Sequence, residues 1–78
     1  MKYLVTFSST AFAIKAENVF LNHNIAIKIR PLPNEISSGC GISIVFDDLE
    51  KVRKIIESEK IKYNKLYHQD GMLYNVID

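Results

Sequence analysis

Apolar positions along this chain alternate between two periods, and the changes of period mark its elements. Tyr3-Leu4-Val5-Thr6-Phe7 is short, β-branched and aromatic, and predicts a buried strand. Ser8-Ser9-Thr10 follow, with side-chain oxygens able to accept from the free N–H groups of a helix start. Phe12, Ala16, Val19 and Phe20 then share one helical face, and Lys15, Glu17 and Asn22 turn elsewhere. His23-Asn24 closes that helix, because Asn tolerates a left-handed backbone. Ile25, Ile27 and Ile29 alternate with Ala26, Lys28 and Arg30 as in a strand with one buried face, and Pro31 and Pro33 stop it.

Strand alternation returns at Ile42-Ser43-Ile44-Val45-Phe46. Asp47, with Glu50 three residues later, predicts a capped second helix whose apolar stripe is Leu49, Val52, Ile55 and Ile56. Glu50 and Lys54 are placed to pair across one turn. Ile61 to Tyr67 predicts a fourth strand. Asp70-Gly71 offers a type I′ turn before Met72-Leu73-Tyr74-Asn75-Val76-Ile77. Residues 68–78 read either as an added hairpin or as a tail that orders against a partner.

Strand, helix, strand, strand, helix, strand with right-handed crossovers predicts an α+β domain of the ferredoxin-like split βαβ type (βαββαβ). Four antiparallel strands would carry both helices on one face, with a fifth C-terminal strand as an extra. The other face is expected to be partly open and to serve a homodimer or a partner.

Seventy-eight residues fit one domain, 1–78, with its core at about 2–67. Ten Lys/Arg against nine Asp/Glu provide no field for a nucleic-acid backbone. The basic-glycine-aromatic motif of RNA-binding strands is missing too, and Tyr3, Phe7 and Phe46 alternate as core residues do. No apolar run approaches the roughly 20 residues of a membrane span. The first residues lack the apolar core of a secretory signal. A single cysteine, Cys40, cannot form an internal disulfide and suits a reducing compartment, so the expectation is a cytoplasmic protein.

The connection from Pro31 to Gly41 is much longer than the two to five residues a hairpin needs. Its prolines, Pro31 and Pro33, give it shape, and it ends Ser37-Ser38-Gly39-Cys40-Gly41. Gly39 and Gly41 bare the backbone around the thiol, and consecutive N–H groups there can form an anion-binding nest. Ser37 and Ser38 add hydroxyl donors. Such surroundings favour a thiolate and hence nucleophilic chemistry at Cys40. The plainer alternative stands beside it: free cysteines are commonly inert, buried small hydrophobes, and the glycines could simply shape a turn.

Pro33-Asn34-Glu35-Ile36-Ser37-Ser38-Gly39-Cys40-Gly41 resembles the signature of the selenium/sulfur carrier-like family, small bacterial domains formerly known only as a domain of unknown function. The likeness extends in order and spacing from about Lys2 to Tyr67, and Ser37, Ser38, Cys40 and Gly41 are its most specific part. Relatives often carry Arg where this chain has Asn34, so a fixed cation at that position is lost; Arg30 and Lys28 are candidates to replace it. The resemblance implies a carrier that holds sulfur or selenium covalently on Cys40. A donor such as a cysteine desulfurase would load it, and an acceptor protein would unload it. No resolving thiol is present, which suits a carrier better than a self-contained redox enzyme.

Other chemistry finds little support. One Cys and two widely separated His residues do not make a metal site, and no cofactor is implied. His23 is expected to satisfy carbonyls at a helix end, and His68 to flank a turn. Nothing brings a base to Cys40 for hydrolase chemistry, and Asp47 and Asp48 suit a helix start better than an acid pair. The rival reading is a non-catalytic regulatory module that binds a ligand or partner with the 31–41 loop.

Overall fold

The computed structural model describes residues 1–37 and 39–78. Its elements run β1 (Tyr3–Thr6), α1 (Thr10–Asn22), β2 (Ile27–Pro31), β3 (Ile42–Phe46), α2 (Leu49–Ser58), β4 (Leu66–Asp70) and β5 (Leu73–Val76). All pairings are antiparallel, in the order β2-β3-β1-β4-β5. The first four strands have the ferredoxin-like arrangement expected from the sequence, and β5 extends it at one edge.

The pairing Val5↔Ile44, with Phe46 opposite both Tyr3 and Ile27, aligns one apolar face across the sheet. Both helices cover that face. Ala13, Ala16 and Phe20 of α1 and Val52 and Ile55 of α2 join Val5, Phe7, Ile44, Phe46 and Leu66 in one core. The α1 stripe is rotated from the expected one: Phe12 is exposed, and small Ala13 faces the sheet instead. Phe12 lies under the Lys62 ammonium, 5.8 Å from its ring centroid. Tyr3 and Phe46 stack at 5.7 Å on this same helix-covered side, so they form no exposed stacking platform.

Helix ends follow the local chemistry, with two adjustments. Ser9 Oγ accepts from Phe12 N, and Asn24 takes φ 59 after α1, as expected. The second cap is Asp48 rather than Asp47, accepting from Lys51 N at 3.1 Å. Asp47 instead accepts from Lys2 N at 3.0 Å and lies 3.9 Å from the Met1 amine. The His23 ring joins Glu59 at 3.0 Å, which links the two helix ends, and only its backbone N–H meets α1 carbonyls.

The fourth strand starts five residues later than its apolar pattern suggests. Lys60 at φ 53 reverses the chain after α2, and Thr6 holds the segment that follows. Its hydroxyl donates to Lys65 O and accepts from Lys65 N, and its carbonyl accepts from Asn64 N. His68 therefore lies within β4 opposite Tyr3, ring to ring at 5.2 Å, rather than beside a turn. Asp70 pairs with Leu73, so Gly71-Met72 make the hairpin loop. Of these only Gly71 has positive φ, +61, which fits a type II′ turn with glycine first rather than type I′.

The second face of the sheet is covered in part. Leu32 N donates to Gly41 O, and Ile36 N to Pro33 O, so the long connection closes into a loop with its own turn. That turn drops Ile36 onto Leu4 and Tyr67, with Leu32, Val45 and Tyr74 around them. A second small core results, on the face expected to be partly open. The two sheet edges differ as well. β2 carries Lys28, Arg30 and Pro31, whereas β5 and its flanks, residues 71–77, carry no charge and expose Met72, Leu73 and Val76.

Two expectations test this description. Ile36→Ala should destabilise the fold by about 2 kcal/mol, the low end for a buried isoleucine because its cluster is small. Chemical denaturation measures this, and a loss near zero would mean the loop does not pack on the sheet. Tyr63 is half-buried, and desolvation, then the Asp78 carboxylate, raises its pKa above the ordinary 10.0, with Arg53 opposing. Above pH 10.0 the folded chain keeps a proton that the unfolded chain has lost, so stability should fall as pH rises through that range. Tyr63→Phe should flatten this slope; parallel pH profiles for the two proteins would refute the assignment.

Candidate functional site

Cys40 stands where the loop returns to β3, not at its tip, which is the Pro33–Ile36 turn. The cysteine is 2% exposed and belongs to the helix-side core, whereas Gly39 and Gly41 on either side are exposed. The backbone thus meets solvent while the thiol points inward. The glycines bare the backbone around the thiol, as the sequence predicts, but the sulfur itself is buried.

The inward position follows from a close backbone approach. A Cβ on Gly39 would sit 2.4 Å from the carbonyl oxygen of Ser8, a residue just before α1. Only glycine lets the loop lie against that segment. Gly41 has nothing within 4 Å of such a position, so its role is not steric. The contact brings Cys40 to the beginning of α1. Thr10 Oγ1 donates to Cys40 Sγ at 3.7 Å, and the thiol donates to Ile42 O at 3.8 Å. The Thr10 hydroxyl, one of three expected to cap the helix, is left for the sulfur because Ser9 supplies the cap, and no local signal in the sequence points to this contact.

The remaining expected site residues are spread over both sides of the loop. Ser37 is exposed and lines a shallow groove with Glu35, Ile36 and the β5 hairpin. Ser38 lies outside the described residues. Pro31 ends β2 opposite Ile42, and the Pro33 carbonyl anchors the turn. Lys28 and Arg30, considered as replacements for a cation at Asn34, line a depression on the opposite face of the sheet from the core that holds the sulfur. They cannot serve Cys40 there. Among the described residues, no group of His, Cys, Asp and Glu side chains is arranged to hold a metal ion, and no helix is long and apolar enough to cross a membrane.

The two glycines make a sharp pair of variants. Gly39→Ala should destabilise the protein by about 1–3 kcal/mol, the usual range for overpacking, because the atom it meets is backbone. Gly41→Ala should fall within about 0.5 kcal/mol of the parent, as at surface sites without special features. Equal effects in denaturant titrations would contradict the geometry around Ser8.

Residues 2–68 correspond to the family described as Putative Se/S carrier protein-like. No curated protein and no solved structure matches the chain.

Proposed function

Because the chain belongs to the family of Se/S carrier protein-like domains, we propose that it carries sulfur or selenium as a single atom bound to Cys40 Sγ. The observation that supports this most is the seat of the sulfur: the chain's one cysteine lies at the N-terminal end of α1, with the Thr10 hydroxyl directed at it. The Thr10 contact fixes where the sulfur sits, at the start of α1. Thiolate is the form that attacks.

Loading is a thiol exchange. The Cys40 thiolate attacks the outer sulfur of a donor persulfide; the donor's S–S bond breaks, its electron pair leaves with the donor thiolate, and a new S–S bond forms on Cys40. Selenium from a donor selenosulfide transfers in the same way, with an S–Se bond formed and another broken. Neither exchange needs an external oxidant. Delivery is the reverse step toward an acceptor thiolate, which in this reading belongs to a partner protein.

The buried thiol sets a condition on both steps. The sulfur must turn outward to meet a partner's cysteine, and that movement has to release the approach of Gly39 to Ser8 or the contacts of the thiol with Thr10 and Ile42. Between transfers, burial shields a bound sulfur atom from small thiols. Residues 1–78 act as one carrier domain in this reading, in the reducing setting of the cytoplasm. A cysteine desulfurase is the expected class of donor.

Intact-protein mass spectrometry under non-reducing conditions tests the proposal. The parent and Cys40→Ser are incubated with a cysteine desulfurase plus cysteine, and separately plus selenocysteine. A reducible gain of one sulfur or selenium atom on the parent alone is the expected result. An unmodified Cys40, under conditions that load a control carrier, would remove the carrier reading and leave the 31–41 loop as a binding element. Thr10→Val should slow loading while leaving the fold intact by circular dichroism.

A further inference from the structure

A depression of about 250 Å³ lies on the sheet face opposite the helices, beside the area covered by Ile36. Its floor is Leu4 of β1 and Val45 of β3, which face each other in register. Lys28 and Arg30 of β2 enter from one side, two residues apart and therefore on the same face of the strand. Gln69 and Tyr74 bound it on the other.

The charge here is one-sided. No Asp or Glu lines the depression, and among the described residues neither Lys28 nor Arg30 forms an ion pair. The nearby carboxylate of Asp47 is taken up by Lys2 N and the Met1 amine. Elsewhere on this chain cations do find acids, as Arg53 finds Asp78 and Lys54 finds Glu50. Two unpaired cations over an apolar floor, with an aromatic wall, attract a small molecule with a negative head and an apolar body.

We propose that this depression binds a small organic phosphate, a second site independent of Cys40 and of the carrier reading. Arginine presents a fork that matches two phosphate oxygens, and lysine adds a separate point charge. Together they suit a dianion better than a single carboxylate. The apolar portion lies on Leu4 and Val45 against Tyr74. The volume limits the ligand to roughly the size of a phosphorylated single ring, below the usual range of about 300–1,000 Å³ for drug-sized ligands.

Phenyl phosphate is the probe, titrated at low salt into isotope-labelled protein and followed by amide NMR shifts. The expected result is saturable shifts centred on Lys28, Val45, Gln69 and Tyr74, with a dissociation constant on the order of 1 mM or tighter. Lys28→Gln with Arg30→Gln should weaken binding at least about tenfold, and added sodium chloride should weaken it in the parent through screening. Inorganic phosphate, lacking the ring, should bind more weakly. Absence of saturable shifts, or undiminished binding by the double variant, would overturn the site. Phenylacetate binding as tightly as phenyl phosphate would overturn the assignment to phosphate. The salt dependence in the parent protein decides the matter even if the double variant fails to fold, since salt-independent binding would also refute the site.

Discussion

The contact of Gly39 with the Ser8 carbonyl is the constraint on which the arrangement around Cys40 rests. Two stretches of backbone meet there at a separation no side chain would permit. One belongs to the loop before β3, the other to the turn between β1 and α1. Their meeting sets the thiol against the first residue of α1 rather than in solvent. From the same anchor the loop runs back across the sheet, where Leu32 N and Gly41 O close it and Ile36 fills the space over β1. A single connection therefore contributes to both cores, the large one beneath the helices and the small one opposite.

This makes β1 the most enclosed strand. It pairs with β3 on one side and β4 on the other, with Val5 buried under the helices and Leu4 under the loop. Thr6 and Ser43, a facing pair, are fully buried and yet satisfied: Thr6 bonds to Lys65, and Ser43 Oγ donates to Arg30 O. Buried hydroxyls stay compatible with the core when each finds a backbone partner. Here they also fix the ends of the neighbouring segments, which accounts for the late start of β4.

Element order and most helix limits were legible in the sequence because they depend on local chemistry: period of apolar residues, the Ser9 cap, the left-handed Asn24. The Cys40 loop could also be singled out, by its length and glycines. What could not be read was direction. Nothing local tells that Ile36 turns onto the sheet, that Gly39 meets Ser8, or that the sulfur faces inward, since each depends on a neighbour more than twenty-five residues away or on the assembled sheet. The shift of the cap from Asp47 to Asp48 has the same origin: Asp47 is drawn to Lys2 across the β1–β3 pairing. His68 was misplaced because the strand containing it was expected to end before it.

The unlike edges of the sheet have a consequence for how copies of this chain can meet. Proline and two cations on β2 oppose the approach of another strand, whereas β5 offers an uncharged backbone edge. A building block with one receptive edge can be joined only once. If two copies were to pair by their edges, the pairing would stop at a closed two-fold pair rather than propagate into a ribbon. The same uncharged hairpin on both edges would leave such growth unopposed.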